Sequence, residues 1–308
     1  APDGFANSLK LDCTTADASP ASGDYFYMHH RIEGNMLQHF AYGTSDAKPI
    51  TLSFYVKSNK TGTGTVNILQ PDNSYKQVSP TYTINSANTW ERKTVTIAGD
   101  TSGVINDDIG RGMELEWWLN SGSNYTSGSN LTTYGTFSNT NRNASNLGIG
   151  GSTDDFWSIT GIQLEVGQNA TEFEHEKFSQ TLQRCSRYFQ KIKAASDSYK
   201  HFGLWFCAAD TGGSGTGYGT VAVPLETTMR AIPTLETTGT VSNYAIYANN
   251  ANYPLTTFSI DTGIDDGTIS GQFYLNAYSA GGMGAGTAGA LRANNTADAF
   301  VALDAEVD

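Results

Sequence analysis

The sequence has few charged residues and no basic cluster. Only 16% of its 308 residues are charged, and acidic residues outnumber basic ones, which gives a formal net charge of −12. A nucleic-acid-binding surface requires clustered Lys and Arg side chains that neutralise phosphates. We therefore expect no nucleic-acid partner.

Cysteines and long apolar runs are also scarce. The three cysteines are Cys13, Cys185 and Cys207, an odd number without metal-ligand spacing. This pattern argues against a disulfide framework and against a zinc site, so we expect reduced thiols and no metal or cofactor. No stretch approaches the roughly 20 apolar residues of a membrane span, so we expect no membrane insertion.

Alternating apolar and polar residues are abundant, separated by turns rich in Gly, Ser, Thr and Asn. This period of two is typical of strands with one buried face. The class predicted from it is all-β. The predicted strands are 50–57, 65–69, 93–98, 113–119 and 156–166, and then 201–207, 219–224, 244–248, 258–260, 268–274 and 299–303.

Two details of the N-terminal half refine this prediction. The alternation in 156–166 slips by one residue beside Gly161, which predicts a β-bulge because glycine tolerates the backbone that a bulge needs. The segment 120–151 is too polar for a core strand and is interpreted as a long loop or a pair of short edge strands. His29 and His30 lie near Glu33, but adjacent strand residues point to opposite faces, so a polar edge strand is favoured over a metal site.

A helical pattern follows the last of these strands. Residues 177–193 contain neither Gly nor Pro, and their apolar residues are spaced 4, 3, 4 and 3, which predicts one stripe on a helix. Two short heptads are too few for an isolated coiled coil, so we expect three copies to bury this stripe around a common axis. The candidate interface residues are Phe178, Leu182, Cys185, Phe189 and Ile192.

Several segments resemble bacteriophage tail-fibre and related virion proteins. They read GTSDAKPITLSFYVKS, NTWERKTVTIAGD, ITGIQLEVGQNATEFEHEKFSQTLQRCSRYF and VPLETTMRAIPTLETTG. The resemblance implies a jelly-roll β-sandwich similar to carbohydrate-binding modules over 1–171, a linking helix over 172–194 and a C-terminal β-domain over 195–308. It also implies a non-enzymatic structural protein of the virion, assembled in the host cytoplasm.

The partners implied by the resemblance are further copies in a homotrimer, other virion proteins and host surface polysaccharide, with a role in host attachment. An alternative stays open. The chain could instead be a carbohydrate-binding module of a secreted or cell-surface glycan-active protein. A free-standing module has no need of the stripe helix or of a second β-domain, so the virion interpretation is favoured.

The segment 113–119 supplies the candidate glycan-binding residues. Strand alternation places Trp117 in the core and its neighbour on the opposite face. An outward Trp can stack on a sugar ring while nearby carboxylates accept hydrogen bonds from hydroxyl groups. The candidate residues, including two from the following loop, are Trp118, Glu114, Glu116, Tyr125 and Tyr134.

Two alternatives accompany this site. The loop 120–151 or a neighbouring subunit could cover Trp118, because buried aromatic residues dominate cores and interfaces. Glu114 and Glu116 could also form a glycosidase pair, whose carboxylates stand roughly 5 to 9.5 Å apart. Since nothing else marks a catalytic cleft, and acids on a strand face are usually solvated, we expect no catalytic residues.

Overall fold

The chain divides into two compact units. The computed structural model describes residues 1–194, 198–210, 217–261, 272–279, 283 and 286–307. Unit 1 is formed mainly by Ala1–His175 and unit 2 by Glu176–Glu306. Each unit has its own cluster of buried apolar side chains, as expected of a domain. The segment 172–194 is predicted as a linking helix, and its residues from Glu176 onward belong to unit 2.

Unit 1 is an antiparallel β-sandwich, and the structure confirms the all-β class. One sheet has the strand order β1-β9-β3-β7 and the other the order β2-β8-β4-β5, with β6 paired to β4. The strands are β1 (Leu9–Asp12), β2 (Tyr25–Glu33), β3 (Ile50–Ser58), β4 (Gly62–Gln70), β5 (Lys76–Val78), β6 (Thr81–Ile84), β7 (Glu91–Ile97), β8 (Arg111–Ser121) and β9 (Phe156–Val166).

The core of unit 1 lies between the two sheets. Alternate residues of β3, β4, β8 and β9 contribute large buried side chains from both sides, among them Phe54, Trp117 and Trp157. Burying apolar area of this kind is the main favourable term in folding. Because β2 lies at the edge of its sheet, the structure confirms the polar edge strand that contains His29 and His30.

The bulge predicted beside Gly161 is confirmed. In the pairing of β3 with β9, Ser53 stands opposite Gln163 and Tyr55 stands opposite Thr160, so β9 has an extra residue between these pairs. Gly161 has a φ of 58°, in the left-handed region that favours glycine. The extra residue explains why the apolar alternation slips at this point.

Unit 2 contains a closed β-barrel and a separate three-stranded sheet. The barrel has the strand order β11-β12-β16-β15-β14-β17, and the sheet has the order β10-β18-β13. The strands are β10 (Phe189–Lys193), β11 (His201–Asp210), β12 (Gly217–Pro224), β13 (Thr234–Thr237), β14 (Tyr244–Ala248), β15 (Ala251–Ile260), β16 (Gln272–Ser279), β17 (Ala288–Ala293) and β18 (Phe300–Asp304). The predicted strand at 268–274 lies partly outside the described residues, and so do the two Gly-rich tracts of the sequence, 211–217 and 280–286.

The helix predicted over 177–193 is wrong in its extent. Helix α2 (Phe178–Ser186) ends early, and the rest of the segment forms β10. Phe189 and Ile192 therefore lie on a strand, where β10 pairs with β18 through main-chain hydrogen bonds. This tertiary pairing overrides the local periodicity, because a spacing of three residues puts two strand side chains on opposite faces.

The remaining helical elements are short. They are α1 (Ser123–Thr126) and 3-10 turns at Gly34–Met36, Gln38–Phe40, Pro71–Asn73, Asn139–Asn141 and Val241–Asn243. Over the part of the chain that the structure describes, no helix has the length and apolar character needed to cross a membrane.

The bulge generates a prediction about stability. A Cβ atom added at Gly161 would approach Phe5 Cζ at 2.7 Å and Tyr55 Cδ2 at 3.1 Å. We expect Gly161→Ala to lower the free energy of unfolding by about 1–3 kcal/mol, since steric contact adds to the unfavourable φ. The matched control is Gly23→Ala, where the nearest atom is 3.9 Å away and the change should stay within about 0.5 kcal/mol.

Urea denaturation followed by tryptophan fluorescence measures both variants. If Gly161→Ala unfolds at the same urea concentration as Gly23→Ala, the bulge does not depend on glycine.

Candidate functional site

Trp117 and Trp118 lie on opposite sides of β8, as the alternation predicts. Trp117 belongs to the core cluster between the sheets, whereas Trp118 lies on the outer side. Both are nevertheless fully buried, with 0% exposure. The prediction of a Trp118 ring open to a sugar is therefore wrong, and the alternative of a covered Trp118 is correct.

A buried carboxylate lies beside Trp118. Glu116 is 0% exposed and accepts hydrogen bonds from Asn67 Nδ2 at 2.7 Å and from Trp118 Nε1 at 2.8 Å. Arg142 adds a hydrogen bond from Nε at 3.2 Å and a second one from Nη2. A charged group without water requires such donors, so Glu116 is held in place rather than solvated.

Arg142 covers the outer face of Trp118. Its guanidinium carbon stands 4.7 Å from the centre of the Trp118 ring and 5.5 Å from that of Tyr27, which places the cation over both rings. Burial opposes the Arg142 charge, but the charge of Glu116 and its hydrogen bonds outweigh it and raise the pKa of Arg142. The cation is therefore a permanent part of the structure.

The segment between β8 and β9, residues 122–155, is here called the covering loop, and it carries Arg142. Asn143 is fully buried and anchors the loop, since its Nδ2 donates to Ser121 Oγ at 2.8 Å and its main-chain N–H donates to Tyr125 O. Further along, the main-chain N–H of Ser138 donates to Gln77 Oε1 at 2.9 Å. The loop is thus tied to β5 and β8 by hydrogen bonds.

Glu114 is a second buried carboxylate with partners of its own. Its Oε2 accepts a hydrogen bond from Arg111 Nη1 at 2.9 Å, and its Oε1 lies 2.9 Å from His29 Nδ1 and 3.8 Å from Arg31 Nε. The expectation that Glu114 and Glu116 are solvated is wrong, because both are under 5% exposed. Their oxygens already hold partners from within the chain.

Exposed aromatic rings near Trp118 lie on the edge strand β2. Tyr25 is 58% exposed, and its ring centre is 5.5 Å from that of Tyr27, with the two rings stacked. Tyr27 packs on Trp118 at 4.8 Å, and Tyr125 of the covering loop meets Tyr25 at 5.4 Å. We call Tyr25, Tyr27, His29 and Tyr125 the aromatic surface.

Sequence reasoning missed the two tyrosines of β2. The sequence does contain a pattern that indicates them, because every second residue from Tyr25 to Arg31 is aromatic or basic and a strand places such residues on one side. Burial, and then the negative charge of Glu116, raises the pKa of Tyr27, which stays a neutral hydroxyl group that can donate a hydrogen bond. Tyr125 is the predicted loop residue that does join this surface.

Tyr134 lies elsewhere. Its ring centre is 5.8 Å from that of Tyr42, and it packs at the margin of the core of unit 1. Burial raises the pKa of Tyr134 well above its ordinary value. The structure therefore brings Tyr125 to Trp118, with ring centres 5.2 Å apart, and Trp118 to Glu116 by a hydrogen bond, with Glu114 on the same side of β8. It places Tyr134 in a different part of the unit.

A cavity of about 360 Å³ opens beside the aromatic surface. Its lining includes the aromatic residues Tyr25 and Phe26 and the acidic residues Asp12, Asp17 and Asp24. Asp17 and Asp24 each accept a main-chain N–H, from Ser19 at 3.0 Å and from Ala21 at 2.9 Å. Across the described residues, no group of three or more His, Cys, Asp or Glu side chains is placed to hold a metal ion.

Comparison with known proteins adds little. The sequence matches no protein-family profile and no curated protein. One similar solved structure is described as "CBM4 structure and function", with 16% identity, 49% of this chain and 67% of that chain covered, and a TM-score of 0.26. Another is described as "Family 16 Carbohydrate Binding Module-2", with 13% identity, 53% and 79% covered, and a TM-score of 0.25. At these scores the likeness is too weak to assign a family.

The resemblance to phage tail-fibre proteins stays a prediction. Neither of these two solved structures is described as a virion protein. The all-β fold, by contrast, is established directly by the strand pairing in both units.

The Glu116–Arg142 pair generates a prediction about stability. Arg142→Met leaves the Glu116 charge buried without its cation, which should lower the free energy of unfolding by about 3–5 kcal/mol. The double variant Glu116→Gln, Arg142→Met removes the charge as well and should recover part of this loss. Urea denaturation of the two variants and of the unmodified chain tests the expectation. If Arg142→Met is as stable as the unmodified chain, the ion pair does not hold the covering loop.

Proposed function

We propose that unit 1 binds carbohydrate on the aromatic surface. The observation that carries the proposal is the row of Tyr25, Tyr27 and His29 on one side of an edge strand, with Tyr25 58% exposed. The C–H face of a sugar ring packs well on an aromatic plane, and tyrosine and histidine also offer polar tips for hydroxyl groups. This is the activity of a carbohydrate-binding module.

The surroundings of the aromatic surface support the same proposal. The cavity beside Tyr25 has three Asp carboxylates in its lining, and carboxylates accept hydrogen bonds from hydroxyl groups. Small-molecule sites typically combine apolar walls with a small number of precisely placed polar groups. Asp12 is paired with Lys10 at 2.7 Å, whereas Asp17 and Asp24 add negative charge that favours neutral sugars over anionic ones by charge repulsion.

The proposed activity is binding without hydrolysis. A glycosidase needs one carboxylic acid that gives up a proton and one carboxylate that acts as nucleophile or base. Glu114 and Glu116 are both buried and hydrogen-bonded to side chains of the same chain. In this arrangement the two glutamates hold Trp118 and the aromatic surface in place and do not act on a glycosidic bond.

Tyr25→Ala tests the carbohydrate proposal. Because Tyr25 is exposed, the variant should fold, and loss of one stacking ring should weaken binding by about 0.5–1.5 kcal/mol, or roughly 2- to 13-fold. Affinity electrophoresis in gels that contain soluble β-glucan, xylan or mannan measures retention. The matched control is Phe206→Ala, which removes a ring of 56% exposure in unit 2.

The proposal predicts retention of the unmodified chain and of Phe206→Ala in at least one gel, with faster migration of Tyr25→Ala. It also predicts no release of reducing ends from the retarding polysaccharide. No retention in any gel, or equal retention of Tyr25→Ala, would contradict it.

A second candidate function is structural, as a homotrimeric component of a virion that contacts other virion proteins and host polysaccharide. The observation that favours it is the apolar face of α2. Phe178 is 80% exposed and Leu182 is 46% exposed, with Cys185 also exposed on the same face. Exposed apolar side chains in a row are typical of an interface, so we propose that copies of this chain associate there.

Charge substitution on α2 tests this association. Phe178→Asp with Leu182→Asp should convert a trimer to a monomer, because two carboxylates would have to enter the interface without partners. The matched control is Gln180→Asp with Gln183→Asp, which adds the same charge on the other side of the helix. Size-exclusion chromatography with light scattering measures the mass, and a monomeric unmodified chain would contradict the proposal.

A further inference from the structure

An arginine lies between two tyrosine rings on the outer side of the barrel in unit 2. The guanidinium carbon of Arg292 is 4.7 Å from the ring centre of Tyr199 and 4.0 Å from that of Tyr247. Its neighbours along β17, Leu291 and Ala293, are fully buried in the barrel core. Because successive strand residues point to opposite sides, Arg292 points outward.

Polar side chains hold this arginine in position. Arg292 Nε donates a hydrogen bond to Asn252 Oδ1 at 2.7 Å, and Asn252 stands opposite Tyr247 in the pairing of β14 with β15. The hydroxyl of Tyr247 in turn donates to Asn250 Oδ1 at 2.7 Å. The guanidinium is thereby held by a hydrogen bond at Nε and by contact with the two rings.

A histidine extends the same surface. His201 stands opposite Arg292 in the pairing of β11 with β17, and its ring centre is 6.4 Å from that of Tyr247. His201 and Tyr199 are both exposed. We call Tyr199, His201, Tyr247, Asn252 and Arg292 the barrel-surface cluster.

The charge of Arg292 distinguishes it from the arginines of unit 1. Arg111 and Arg142 both pair with glutamate carboxylates. Arg292 forms an ion pair with no acidic side chain among the residues that the structure describes, although the chain has a formal net charge of −12. An oriented guanidinium without a carboxylate partner, set between aromatic rings, is suited to an external anion.

We propose that the barrel-surface cluster binds a sugar that carries a carboxylate, of the uronic acid class. The planar guanidinium would pair with both oxygens of the carboxylate, a geometry that a planar carboxylate matches. The rings of Tyr199 and Tyr247 would contact the C–H groups of the sugar, and His201 would hydrogen-bond its hydroxyl groups. This site belongs to unit 2, and it goes beyond the neutral-sugar site proposed for unit 1.

The test titrates D-glucuronate into the full chain and follows binding by saturation-transfer NMR, with D-glucose at equal ionic strength as the neutral probe. Tyr25→Ala serves as the background in which both are measured, because it weakens any contribution of the aromatic surface of unit 1. In this background D-glucuronate should give a stronger binding signal than D-glucose. Failure of the unit 1 proposal would leave this result unchanged.

Three substitutions then locate the binding. Arg292→Gln should abolish D-glucuronate binding, and Arg292→Lys, which keeps the charge but loses the planar pair of donors, should weaken it at least about tenfold. The matched control is Arg184→Gln, which removes an arginine of 74% side-chain exposure elsewhere in unit 2 and should leave binding intact.

A measurement on the unsubstituted arginine covers the case in which an Arg292 variant does not fold. In nitrogen-15-labelled protein, the Nε–H signal of Arg292 should shift on addition of D-glucuronate and should not shift with D-glucose. An unmoved signal, or unchanged binding in Arg292→Gln or Arg292→Lys, would overturn the proposal.

Discussion

The buried carboxylate of Glu116 is the constraint on which the outer side of unit 1 depends. The sheet itself supplies only two donors to it, Asn67 and Trp118. The cation comes from Arg142, which lies outside the sheet in the covering loop. Because a buried charge must be paired, the loop has to lie across the sheet. Its position then buries Trp118, while Tyr25 stays exposed.

Arg292 of unit 2 differs from Arg111 and Arg142 of unit 1, and this difference separates the ligands proposed for the two units. In unit 1, Arg142 and Arg111 are committed to carboxylates of the same chain, so the aromatic surface presents rings beside a lining of Asp side chains. In unit 2, Arg292 is oriented by an asparagine and by two rings. Neutral sugars suit the first arrangement and an acidic sugar suits the second, because Asp17 and Asp24 repel an anion whereas Arg292 attracts one.

Much of the fold could be predicted because strands with one buried face have a clear period of two. Strands β3, β8 and β14 were predicted within about three residues on this basis alone. The helix was predicted too long because Phe189 and Ile192 continue its spacing. That spacing contains no information about β18, the distant strand with which this segment pairs as β10. Pairing between segments far apart in the chain is not visible in a local pattern.

The sequence by itself determined the class, the bulge at Gly161 and the side of β8 on which Trp117 and Trp118 lie. These follow from local backbone geometry, which each segment carries with it. Only the tertiary structure decided which of these side chains meets solvent. Trp118 is buried because Tyr27 and Arg142, from two distant segments, pack on its ring. The side of a strand is a local property, whereas exposure depends on the chain that packs over it.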